Sequence, residues 1–152
     1  MDKKSLQEFL VAANKAGYAT GNENDWVKQA DGSTTISFEQ GDFLMHDNFF
    51  GGEPYGGRMV VFYQKKAVWM MVYYGFVFEG VDTAPVYAML RKALSQMPAS
   101  CPLRGPHSIS DKDLEYTNYW EGDILKFMGE EQIIRNDEGV YKATYAGGLI
   151  DV

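Results

Sequence analysis

"GRMVVFYQKKAVWMMVYYGFV", Gly57–Val77, holds two β-branched and aromatic stretches joined by a polar turn. The runs Met59–Tyr63 and Ala67–Phe78 flank Gln64–Lys66. That turn is too short for a crossover connection, so the segment predicts an antiparallel hairpin. "GEEQIIRNDEGVYKATYAGGLI", Gly129–Ile150, repeats the arrangement, with its turn at Asn136–Gly139 and again a Tyr two residues before a Gly.

Working outward, Gly41-Asp42-Phe43-Leu44 aligns with Gly122-Asp123-Ile124-Leu125. Val68, Trp69, Tyr73 and Gly75 align with Val140, Tyr141, Tyr145 and Gly147. The longer first stretch carries "NFFGGEPYGG", Asn48–Gly57, as an insertion. Each stretch is preceded by a helical pattern. Leu6, Phe9, Leu10 and Ala13 recur at helical spacing, with Asp2 or Ser5 as cap and Gly17 as stop, predicting a helix over about 3–16. A second helix begins after Asp82-Thr83, with Pro85 in its first turn, Val86, Leu90, Ala93, Leu94 and Met97 on its apolar face and Pro98 at its end. Ile36 and Phe38 alternate with polar residues as in a strand. Further strands are expected over about Tyr116–Trp120, Gly122–Met128, Glu131–Arg135 and Val140–Ala146. The expected fold is α+β: a duplicated helix-plus-antiparallel-hairpin unit whose curved antiparallel sheet packs against two main helices. It forms a single domain over 1–152, with halves of about 1–80 and 81–152 meeting at a seam.

Composition excludes several classes of function. The net charge of −7 is spread along the chain and repels phosphate backbones, so no nucleic-acid partner is expected for this chain alone. The longest apolar run, Ala67–Phe78, falls short of the roughly 20 residues a membrane helix needs, so no membrane partner is expected either. Cys101 is the only cysteine, and the N-terminus turns amphipathic at once, which together predict a reducing, cytoplasmic setting. His46, His107 and Cys101 give no zinc spacing, so neither a metal nor a cofactor is expected. No G-x-S-x-G, phosphate loop or dinucleotide fingerprint is present.

Candidate site residues follow from the repeat. Trp69, Tyr73, Trp120 and Tyr145 are expected to line an aromatic cleft at the seam, where rings stack on a flat or cationic ligand. Asp42 and Asp123 are expected to orient that ligand. Alternatively they form a carboxylate pair for acid–base catalysis, or cap backbone N–H groups beside a bulge. Arg104, between "PL" and "GP", is rigidly presented to clamp an anion or to pair with an acid. Phe49, Phe50 and Tyr55 sit in the Gly-rich segment Asn48–Gly57, read as a lid loop or as a twisted connection. The leading function is non-catalytic small-molecule binding. The alternatives are an enzyme using the Asp pair, or a module that docks a partner or forms a homodimer through the doubly apolar strand.

"FEQGDFLMHDNFFGG", "AVWMMVYYG", "LRGP", "EGDI" with "GEE", and "YAGGLI" together resemble a bacterial domain family of unknown function, DUF5680. Members occur alone or fused behind a helix-turn-helix domain. The fused form implies a sensor or effector-binding role. The family has no established catalytic residues, so the resemblance implies none here.

Overall fold

A computed structural model describes residues 1–20 and 23–151. Gly21 and Asn22, within the polar stretch read as loop, lie outside the described residues. Helix α1 spans Lys3–Ala16, as its apolar spacing predicts, and the Asp2 carboxylate accepts from the Ser5 N–H at 2.9 Å. Helix α2 spans Thr83–Ser95 and is capped by Asp82. Among the described residues the strands are β1 (Val27–Lys28), β2 (Thr34–Gln40), β3 (Phe43–Gly51), β4 (Tyr55–Tyr63), β5 (Lys66–Val77), β6 (Ser108–Asp111), β7 (Leu114–Asp123), β8 (Lys126–Arg135) and β9 (Glu138–Leu149). They form one antiparallel sheet in the order β1-β2-β3-β4-β5-β9-β8-β7-β6.

This overturns the duplicated α+β reading. A single nine-stranded antiparallel sheet is the frame, and the helices contribute only 14 and 13 residues. The two stretches do not build equivalent units. β1–β5 precede α2 and β6–β9 follow it. Gly41 is a turn residue between β2 and β3, whereas Gly122 lies inside β7. Gly122–Met128, expected as a strand, is the tip of the β7–β8 hairpin. Apolar alternation cannot distinguish a strand from a hairpin end when the turn, here Ile124-Leu125, is itself apolar. Asn48–Gly57 is no loop: it is the end of the β3–β4 hairpin, with Phe49 opposite Gly57 and Gly51 opposite Tyr55.

The tight turns follow backbone chemistry. Gln64-Lys65 and Asn136-Asp137 both take positive φ, as a two-residue hairpin loop requires. Side chains alternate across the sheet, and one face carries both helices. Leu6, Phe9, Leu10 and Ala13 of α1 pack with Met45, Val61, Trp69, Met71 and Phe127. Val86, Met89, Leu90 and Ala93 of α2 pack with Tyr116, Ile133, Tyr141 and Ala143. The opposite face is open, and Val72, Tyr74, Tyr119 and Met128 are exposed on it. No helix is long and apolar enough to cross a membrane.

Two cross-strand pairs set tyrosine against glycine on the helix-bearing face. Tyr55 lies opposite Gly75, and Tyr145 opposite Gly129. A methyl group on Gly75 would stand 2.8 Å from the Tyr55 ring, and one on Gly129 would overlap the Tyr145 ring. Each glycine thus lets a ring lie along the sheet instead of standing away from it. Gly129→Ala is expected to destabilise the fold by about 1–3 kcal/mol through overpacking. Gly139→Ala, where the nearest atom is a Phe78 carbon at 3.8 Å, is expected to change little. Urea denaturation of the two variants beside the parent chain checks this.

Candidate functional site

The floor of the site is a polar band across the otherwise apolar helix-bearing face. Its centre is Glu131 of β8, which is fully buried. Arg104 donates to Glu131 through Nη2, and through Nε at 3.2 Å. The Tyr116 hydroxyl donates to Glu131 Oε2 at 2.6 Å, and the Tyr141 hydroxyl to Oε1 at 3.1 Å. Since Tyr141 gives its proton to Glu131, Tyr55 is the donor in the 2.5 Å contact between the Tyr55 and Tyr141 hydroxyls. A second branch runs from Tyr145, which donates to Asn118 Oδ1 at 2.8 Å, to Asn118 Nδ2, which donates to the Gly105 carbonyl at 2.9 Å. The loop is therefore tied to the sheet through the Arg104 side chain and the Gly105 backbone.

The electrostatics follow from burial. Desolvation works against the Arg104 charge, and Glu131 more than offsets it, so the guanidinium stays ionised. Desolvation raises the Tyr116 and Tyr141 hydroxyls above their ordinary value, and Glu131 raises them further. Tyr55 is pushed up to about 12, again chiefly by desolvation. These hydroxyls are donors at neutral pH, not bases. Asp47 of β3 accepts from the Tyr73 hydroxyl at 2.5 Å. Burial raises its pKa to about 6, against the lowering effect of Tyr73 and Arg104.

Above this floor lies a pocket of about 380 Å³. The sheet supplies Asp47, Phe49, Tyr55 and Tyr73, and Arg104 comes from the loop after α2. The walls are Tyr87 and Arg91 of α2, with Tyr18, Glu23, Trp26 and Lys28 from the segment after α1. Arg104 sits over the Tyr73 ring, 5.8 Å from its centroid. Trp26 stacks on Tyr18 at 5.9 Å and meets Phe49 edge-on at 5.7 Å. Tyr87 donates to Glu53, whose other oxygen accepts from the Val77 N–H at 2.8 Å, and this ties α2 to the β3–β4 hairpin.

The structure brings together Tyr73, Arg104, Phe49 and Tyr55 from the residues singled out in the sequence. The others lie elsewhere. Trp69 is a core residue, 1% exposed, whose Nε1 donates to the Ile124 carbonyl at 2.7 Å. Tyr145 is buried within the polar band, and Trp120 stacks on His107 at 4.0 Å. Phe50 is exposed and does not line the pocket, so Phe49, Phe50 and Tyr55 do not act together as a lid. Asp42 is exposed and accepts from Gln64 at 3.0 Å. Asp123 pairs with Lys3 at 2.6 Å and accepts from the Leu125 N–H, both of which hold its pKa low. Neither aspartate lines the pocket. Among the described residues no group of three or more His, Cys, Asp or Glu is placed to hold a metal ion.

Sequence reasoning missed Tyr18, Trp26, Asp47, Tyr87, Arg91 and Glu131. For two of them a signal existed. Asp47 alternates in phase with Met45 and Phe49, and Glu131 with Ile133. A carboxylate at a core-phase position costs free energy unless it is paired, so it marks a polar network.

What the fold and site define is an antiparallel-sheet domain with an aromatic pocket over a buried ionic floor. Residues 47–150 match the family described as Domain of unknown function (DUF5680), and the chain belongs to that family. No curated protein and no solved structure is found to match it.

Glu131→Gln leaves Arg104 buried without its counter-charge and is expected to cost about 3–5 kcal/mol in chemical denaturation. Combining it with Arg104→Met is expected to cost less than the sum of the two single changes, because each single change strands the other's partner. Asp47 predicts a pH dependence. Its raised pKa means the folded state holds the proton more tightly. That stabilisation is complete below the ordinary carboxylate value and is lost as pH rises through about 6. Between pH 4 and pH 7.5 the loss is on the order of 3 kcal/mol. Asp47→Asn is expected to remove it, read as the difference between the two proteins' urea midpoints across that range.

Proposed function

We propose that the protein is a non-catalytic small-molecule-binding module and that its ligand occupies the pocket over Arg104 and Tyr73. The observation that carries this reading is the pocket's construction. Six aromatic side chains surround about 380 Å³ of space, within the usual size of a small-molecule site. The ion pair beneath it is held by hydrogen bonds on every side. Stability alone does not call for such a floor, because replacing a buried ion pair with apolar residues is often neutral or stabilising. A pre-organised polar floor under aromatic walls does suit ligand recognition, since the groups need no reordering on binding. The tyrosine hydroxyls of the pocket are held protonated by burial, Tyr73 donating to Asp47, which supports binding over nucleophilic catalysis.

A thermal-shift screen against metabolites tests the reading. A ligand at about 100 times its Kd stabilises by about 2.7 kcal/mol, which raises the melting temperature of a domain this size by several degrees. The shift is expected to vanish in Tyr87→Ala while that variant's own unfolding remains cooperative. Hits that keep their full shift in Tyr87→Ala, or a library without a single hit, would sink the proposal.

A further inference from the structure

The donors and acceptors of the pocket are not in balance. Glu131 is occupied by Arg104, Tyr116 and Tyr141, and Asp47 accepts from Tyr73. The donors at the wall are under-used. Arg91 has no carboxylate partner among the described residues. It lies beside the Tyr18 hydroxyl, whose pKa burial raises and Arg91 lowers. Lys28 reaches the Thr34 hydroxyl at 2.8 Å and likewise has no carboxylate among the described residues. The Trp26 indole Nε1–H is buried and meets no acceptor among the described residues. Its lack of accessible surface closes it to a ligand, which leaves Arg91 and Lys28 as the donors the pocket presents. Charge points the same way. The chain carries −7 overall, yet this pocket is lined by three cations, Lys28, Arg91 and Arg104, against two acids, Glu23 and Asp47, the second of which accepts from Tyr73.

Shape narrows the class. Trp26 and Tyr18 stack with 19° between their planes, and Phe49 closes edge-on at 88°. Tyr55 and Tyr87 lie 6.1 Å apart, tilted, in the same pocket. Walls of this kind favour a flat ring over a branched chain.

Resting on the pocket reading above, we propose that the ligand is a planar organic anion, a carboxylate or phosphate carried on an aromatic ring. Its anionic group is held by Arg91, and its ring lies against the aromatic walls. A guanidinium fork matches carboxylate and phosphate oxygens alike. Lys28 adds positive charge at the pocket, while Arg104, committed to Glu131, positions the floor.

The test uses four probes sharing one ring: indole-3-acetate, indoxyl phosphate, indole-3-acetamide and tryptamine. Each is titrated against the full chain by ligand-observed NMR. The two acids are expected to bind roughly tenfold or more tightly than the amide and the amine, the size of one charge-assisted hydrogen bond. The ratio between them separates carboxylate from phosphate. Arg91→Gln is expected to bring the acids down to the level of the amide and leave the amide unchanged. Lys28→Gln is expected to weaken the acids by a smaller factor and to leave the amide unchanged. Urea midpoints of both variants establish that they are folded, and Arg91→Lys is expected to restore part of the acid preference. The anion class is overturned if the amide or amine binds as well as the acids, or if Arg91→Gln leaves acid affinity intact. In those cases the pocket reading stands when Tyr87→Ala abolishes the binding. No binding by any of the four probes overturns the anion class on this ring, and the metabolite screen above then decides the pocket reading.

Discussion

The structure depends on how it satisfies one buried charge. Glu131 projects from β8 into the helix-bearing face of the sheet and is shielded from water completely. An isolated carboxylate there would be prohibitive, so its surroundings are built around it. Arg104 neutralises it, Tyr116 and Tyr141 occupy its remaining acceptor sites, and Tyr55 extends the chain of donors to β4. These partners come from β4, β7, β9 and the loop after α2. One charged group therefore fixes the relative placement of segments far apart in the chain.

That constraint explains the division of the core. α1 and α2 each cover their own apolar cluster on the same sheet face. The polar band is where hydroxyls, amide and guanidinium meet Glu131, and the pocket stands over it. Tyr55 and Tyr145 enter the band because glycines lie opposite them in the sheet. With any larger residue at Gly75 or Gly129 these rings would be forced off the sheet surface, and their hydroxyls with them. Asp47 is the second buried carboxylate. Unlike Glu131 it has no full ionic partner, and its raised pKa records that difference.

Part of this was legible in the chain. The bounds of α1, the start of α2 and the hairpin turns at Gln64-Lys65 and Asn136-Asp137 follow from local signals, because caps, helical spacing and positive-φ turns act over a few residues. The aligned stretches Gly57–Val77 and Gly129–Ile150 were read as the mark of a duplicated unit. In the structure β5 and β9 lie side by side, with Tyr73 opposite Tyr145, at the centre of one continuous sheet. Similar alternation needs no duplicated architecture, since any strand with one buried face shows it. The site was half legible. Arg104 and Tyr73 stood out by residue type and setting, whereas Trp69 and Trp120 stood out for the same reasons and went to the core and to a stack on His107.

The sequence by itself determined the elements: where strands alternate, where helices begin, and where the chain must turn. Those choices rest on interactions between near neighbours. Only the tertiary structure decided the site. Tyr18, Trp26, Asp47, Tyr87, Arg91 and Arg104 are scattered along the chain, and no local signal links them. They meet because Glu131 must be paired inside a low-dielectric core. The segments that supply its partners carry the pocket walls with them.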